Sequence, residues 1–123
     1  MQFNDSQAIY LQIAGFVEDK ILRKEWSADE RIPSVRDLAV SLEVNPNTAM
    51  RTYDYLQQQG IIYNQRGIGY FVSSNGFKLV LKTRKNLFMK ENLPEFFKNI
   101  TLLGFTMEEI TGLYQHHLQQ NKK

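Results

Sequence analysis

Apolar residues recur along most of the chain at the three-and-four spacing of a helix. Tyr10, Ile13, Ala14, Val17 and Ile21 share one face, which predicts a helix running to about Lys24 with Asp5 or Ser6 as its cap. The run SADERIP, Ser27 to Pro33, breaks that pattern. Val35, Leu38, Ala39 and Leu42 then predict a second helix of little more than two turns. Ser34 opens it, with Asp37 three residues on as in a capping box. Ala49, Thr52, Tyr53 and Leu56 repeat the same stripe in a third helix. Asn45 suits its cap, Pro46 its first position and Gly60 its end. Two short helices joined by about three residues make a helix-turn-helix pattern.

After Gly60 the period changes. Ile61–Asn64 and Gly69–Val72 are rich in strand formers and flank a tip containing Gln65, Arg66 and Gly67, which predicts a hairpin. Ser73–Gly76 reads as a loop. It divides the chain into residues 1–74 and a tail of residues 75–123. The tail reads as helical, because lysine and arginine recur on both faces of its first segment. Leu93, Phe96, Phe97 and Ile100 form an apolar stripe, joined by Leu103, and Gly104 stops it. Thr106 and Glu109 predict a capping box for a last helix with Ile110, Leu113, Tyr114 and His117 on one side. The expected fold class is therefore mainly α with a small β wing: an N-terminal winged helix-turn-helix followed by a short helical dimerisation tail.

Composition narrows the class. With 42% hydrophobic and 23% charged residues in 123, the chain has the make-up of a folded domain rather than a disordered one. The absence of cysteine excludes a disulfide framework and a thiolate zinc site. The N-terminus lacks the layout of a signal peptide, and no apolar run has membrane-spanning length, so a cytoplasmic protein without a membrane partner is expected. Charge is segregated. Residues 31–90 carry nine basic against three acidic side chains, net +6, while residues 1–30 and 91–123 are net −3 and −1. A basic middle points to an anionic partner, nucleic acid first; a solvated basic face is the other reading of the same charges.

The stripe of the third helix leaves Asn47, Thr48, Met50 and Arg51 off the core, near its N-terminus. Asparagine and threonine weaken a helix, yet these types read DNA. Arginine pairs bidentately with guanine, asparagine with adenine, and threonine touches phosphate or a thymine methyl. The opening turns of the second helix in such a motif are the ones that enter the major groove. Asn47 and Thr48 also fit a purely capping role. Arg36 is placed to reach a phosphate, and Arg66 on its glycine-rich tip is placed to enter a minor groove. No catalytic constellation accompanies them. His116 and His117 are adjacent, diverge by about 100° on a helix, and have no carboxylate three or four residues away. The chain is read as neither an enzyme nor a metal protein, with no cofactor and no defined small-molecule effector.

The run from Arg31 to Val72 resembles the winged helix-turn-helix of the GntR family of bacterial transcription regulators. The matching residues are Ile32, Pro33-Ser34, Arg36, Leu38-Ala39, Thr48, Arg66, Gly67, Gly69 and Phe71-Val72. Residues 9–21 also resemble the family's first helix. Glu43 stands where many members have glycine, and Asn45-Pro46 where many have Ser-Arg. VNPNT, Val44 to Thr48, matches the YtrA-like subfamily, whose short helical tail residues 77–123 resemble more loosely. The resemblance implies a homodimer without a large effector domain, often regulating transporter operons. The candidate DNA-binding set is Ser34, Arg36, Asn45, Asn47, Thr48, Arg51, Gln65, Arg66 and Gly67. The candidate dimer contacts are Leu93, Phe96, Phe97, Ile100, Leu103, Ile110, Leu113 and Tyr114. The expected function is a sequence-specific regulator, in the first instance a repressor, binding double-stranded DNA at an inverted-repeat operator. The alternative is a winged helix used as a protein-interaction module.

Overall fold

The computed structural model describes residues 1–122. Helices α1 (Ile9–Leu22), α2 (Val35–Leu42) and α3 (Pro46–Gln58) precede a hairpin of β1 (Ile62–Gln65) and β2 (Gly69–Val72). Helix α4 (Gly76–Leu87), a π-helical turn (Phe88–Asn92), α5 (Leu93–Leu103) and α6 (Met107–Gln120) complete the order. The chain divides into two compact units, Met1–Thr83 and Arg84 onward. The architecture is mainly helical with a two-stranded antiparallel wing.

The first unit is built on the stripes that the sequence lays out. Ile13, Ala14, Val17 and Ile21 of α1 meet Leu38, Ala39 and Leu42 of α2 and Ala49, Tyr53 and Leu56 of α3 in one buried cluster. Ile61, Ile62, Val72 and Val80 close it. Tyr10, expected in the α1 stripe, is only half-buried.

The start of α1 differs from expectation. Ala8, not Asp5 or Ser6, occupies the cap position, and no side chain caps it. Asn4 captures the Ser6 N–H and hydroxyl instead. Gln12 reaches back from inside the helix, accepting the Asn4 N–H at 3.1 Å and donating to Asn4 O and Gln7 O at 2.8 and 2.7 Å. An interior glutamine thus ties down the N-terminal segment that a cap would have fixed.

Part of the SADERIP segment is also more ordered than a simple break. Asp29 N–H donates to Val72 O at 2.7 Å, Val72 N–H to Glu30 O at 3.1 Å, and Ile32 N–H to Tyr70 O at 2.9 Å. Arg31 thereby forms an antiparallel bridge with Phe71. The extended chain before α2 covers the outer edge of β2, which anchors the wing to the helical core.

Helix α4 starts inside the first unit. A Cβ on Gly76 would lie 2.7 Å from Ile61 O, so only glycine permits this close approach. Phe77, Leu79 and Val80 pack on the core, and the compact unit extends to Thr83.

After α4 ends at Leu87 the backbone stays helical through the π turn and past Pro94 into α5. Leu87 and Leu93 both keep right-handed helical angles on either side of the π turn. Proline has no N–H for the carbonyl four residues back, and a wider turn absorbs that mismatch without breaking the helix. Gly104, at φ 76°, closes α5. Thr106 and Glu109 form both halves of the expected capping box, at 3.1 and 3.0 Å.

Candidate nucleic-acid interface

Helices α2 and α3 place the candidate residues. Ser34 Oγ accepts the Asp37 N–H at 3.1 Å, the forward half of the expected box. Arg36, one residue into α2, is exposed. At the end of α2, Glu43 takes the left-handed conformation (φ 56°, ψ 47°). Glutamate holds there the geometry that glycine adopts without strain. Val44 N–H returns to Ala39 O at 3.0 Å and fixes the turn.

Asn45 then caps α3. Its Oδ1 accepts the Asn47 N–H at 2.8 Å, and Pro46 fills the position where an N–H would have no partner. Asn47 and Arg51 are exposed, while Thr48 is half-buried rather than outside the core. The reason lies one turn on. The buried Thr52 hydroxyl sits 3.1 Å from Thr48 O and 2.9 Å from Tyr10 O, drawing that flank of α3 against α1.

Two pins hold α3 in place. Thr52 to Tyr10 is the first, and the second is the Tyr53 hydroxyl, which donates to Pro33 O at 2.6 Å across to the start of α2. Burial, with the neighbouring Tyr70 as a smaller cause, pushes the Tyr53 phenol far above its ordinary range, so it stays a neutral donor. Tyr70 meets the Tyr53 ring edge-on, with centroids 4.8 Å apart. Its hydroxyl lies 4.0 Å from Met50 Sδ, linking the wing to α3.

The wing is a regular hairpin. Tyr63 and Phe71 are register partners and stack at 5.4 Å. Its tip closes by an Ile68 N–H to Gln65 O bond of 2.9 Å, with Gly67 at φ 80°. Glycine at this third turn position takes the positive φ that other residues resist. Gln65, Arg66 and Gly67 are all exposed there. A second cation, not selected from the sequence, belongs to the same structure: a Cβ on Gly69 would meet Arg31 Nε at 3.0 Å. The signal for Arg31 was its place before the family-like Ile32-Pro33-Ser34, but nothing in the spacing tied it to the hairpin.

Among the described residues, Arg31, Arg36, Arg51 and Arg66 form no salt bridge. Their charge is available to an anion. Arg51 does have a partner of another kind: its guanidinium carbon lies 4.0 Å from the centroid of the Tyr10 ring. No group of three or more metal-binding side chains occurs among the described residues. Nor is any helix among them long and apolar enough to cross a membrane.

Comparison with known proteins agrees with this geometry. The family model of the bacterial regulatory proteins of the gntR family matches residues 9–72. The HTH-type transcriptional regulator YhcF of Bacillus subtilis (strain 168) is 38% identical over 109 residues, covering 89% of this chain and 88% of that protein. The HTH-type transcriptional repressor YtrA of the same organism is 32% identical over 105 residues, covering 85% and 80%. A crystal structure of a protein assigned to the GntR family of transcriptional regulators, from Bacteroides thetaiotaomicron, superposes with a TM-score of 0.72. It is 45% identical and covers 94% of this chain and 100% of its own. The fold and these relatives define a winged helix-turn-helix protein that binds double-stranded DNA to regulate transcription, and not an enzyme. The chain belongs to the GntR family.

Proposed function

We propose that the protein is a cytoplasmic, homodimeric repressor that recognises an inverted-repeat operator, with a transporter operon as the expected target class. The N-terminal turns of α3 enter the major groove. Asn47 and Arg51 face base edges there, Thr48 meets phosphate with the partial positive charge of the helix start, and Ser34, Arg36 and Asn45 position the protein on the backbone. Gln65, Arg66 and Gly67 approach the adjacent minor groove. The repressor assignment draws on the likeness to YtrA, itself named a repressor; the target class draws on the YtrA-like subfamily resemblance.

The observation that carries the dimer is the uncovered apolar surface of the second unit. No residue of α5 or α6 is buried, and Phe97 and Leu103 are 49% and 72% exposed. Phe96, Met107, Ile110, Leu113 and Tyr114 line an open groove of about 560 Å³ in the same unit. An apolar face of this kind is unusual on a monomer and suits a second copy of itself, with Leu93 and Ile100 completing the stripe. Two linked chains then bind two half-sites separated by about one helical turn or a multiple.

Selection of duplexes from a random pool by the purified protein tests this reading, together with sedimentation. An inverted repeat and a dimer are expected. Phe97→Asp should give a monomer with a folded first unit and little specific binding, because linked half-sites lose far more than one contact when the link is lost. A wild-type protein that sediments as a monomer at micromolar concentration, yet binds one asymmetric site tightly, refutes the reading.

A further inference from the structure

We infer that Tyr10, on α1, is a positioning residue for DNA binding: its ring face holds the Arg51 guanidinium, so that the N–H fork of Arg51 meets paired acceptors on the duplex. The inference deepens the proposed role of α3 and rests on Arg51 touching DNA. It adds a residue from a helix that otherwise supplies only core.

The geometry is specific. Arg51 is exposed and has no salt bridge among the described residues, yet its guanidinium sits 4.0 Å over the Tyr10 ring. Stacking uses the face of a guanidinium and leaves its donors, which lie in the plane at the edge, unconsumed. An arginine held this way enters the complex with less rotamer freedom to lose than one waving in solvent. The ring is itself held. Tyr55 meets Tyr10 edge-on, with centroids 6.1 Å apart at 75°. The Tyr10 carbonyl accepts the hydroxyl of Thr52, the residue next to Arg51, at 2.9 Å. Tyr10 is therefore tied to α3 on either side of Arg51, by its ring to Tyr55 and by its carbonyl to Thr52. The paired acceptors are either guanine O6 and N7 or two phosphate oxygens, which offer the same fork-shaped target.

The test measures binding to two probes: a mixed-sequence duplex and the duplex that the wild-type protein selects from a random pool. Tyr10→Leu should weaken binding about 3- to 30-fold, the range of a stacked cation, and Tyr10→Phe, which keeps the ring face, should restore most of it. In an Arg51→Ala background, Tyr10→Leu should change affinity by less than about twofold, since coupled residues are not additive. A loss confined to the selected duplex assigns the fork to a base, and an equal loss on both assigns it to phosphate. Thermal melts of the same variants check that the first unit stays folded. If Tyr10→Leu costs the same affinity with and without Arg51, or none at all, Tyr10 is packing only and the inference is wrong. If Arg51→Ala leaves both duplexes bound as before while Asn47→Ala does not, it is the assignment of Arg51 to DNA that has failed, and the inference falls with it.

Discussion

Tyr53→Phe isolates one of the two pins that hold α3. The ring is fully buried, so phenylalanine fills the same space and leaves no cavity. What disappears is the hydroxyl and its 2.6 Å bond to Pro33 O. A carbonyl left without its partner costs about 1–2 kcal/mol, and the start of α2 loses its tie to α3. With a urea dependence of about 1–2 kcal/mol per molar, the midpoint at pH 7 should fall by about 1 M. Trp26, the single tryptophan, packs against the core of this unit and reports its unfolding. Measurements belong at one protein concentration, because association stabilises the folded chain. The same variant has a pH signature. Below pH of about 10 the phenol is neutral in folded and unfolded chains. Above that, the unfolded chain ionises while burial keeps folded Tyr53 protonated. The folded state then binds more protons, and wild-type stability falls as pH rises towards the raised folded value, by up to about 1.4 kcal/mol per unit from this residue. Phenylalanine lacks that decline, so the difference between the two proteins should narrow from pH 10 and close near pH 11. The shifted Tyr55, Tyr63 and Tyr70 remain in both and cancel. A difference below about 0.3 kcal/mol at pH 7, or one that stays constant between pH 9 and 11, would show that this hydroxyl does not carry the bond assigned to it.

Arg51→Ala should cost roughly 1–3 kcal/mol on the selected duplex and less on random DNA if its fork reads a base; equal losses in a titration of both would place it on phosphate. Arg66→Ala should lower affinity and reduce the log–log salt slope by about one, and an unchanged slope would put the wing off the DNA. Gly76→Ala forces a Cβ to within 2.7 Å of Ile61 O and 3.1 Å of Val72 Cγ1. It should destabilise the first unit by about 1–3 kcal/mol, read by thermal melting, and a melt at the wild-type temperature would show that α4 does not depend on this close approach.

The helical core was legible because burial and periodicity are the same fact seen twice. Ile13, Leu38, Ala49, Tyr53 and Leu56 repeat at helical spacing because one side of each helix faces the others. The wing was legible for a related reason, since Gly67 and Gly69 mark a tip that only small residues close. The pairing of Asp29–Ile32 with β2 was not. It is carried by backbone N–H and carbonyl groups, which every segment possesses, and the side chains there are mostly polar. The Ala8 cap position was missed because Gln12 does the fixing from within the helix, a role with no fixed sequence offset. Tyr10 read as core because its spacing fits the α1 stripe, and its half-buried ring faces a partner on another helix. No local rule pairs Tyr10 with Arg51.

The contacts on the buried side of α3 explain why its opening tolerates residues that weaken helices. Asn47 and Thr48 contribute little to helix formation, and Glu43 just before them sits in a left-handed conformation. The helix does not depend on them. Asn45 and Pro46 start it, Thr52 ties it to α1 and Tyr53 ties it to the chain before α2. Those ties lie on the buried side, one turn or more past the N-terminus, so the exposed first-turn side chains carry little structural duty. Departures from local preference concentrate where a surface serves something other than the fold. On α3 they concentrate at the end that a winged helix presents to DNA. The same logic separates Thr48 from Asn47: Thr48 is half-buried and its carbonyl is engaged by Thr52, whereas Asn47 is exposed. Sequence preference should therefore reside in Asn47 and Arg51, with Thr48 serving the register of the helix on the backbone.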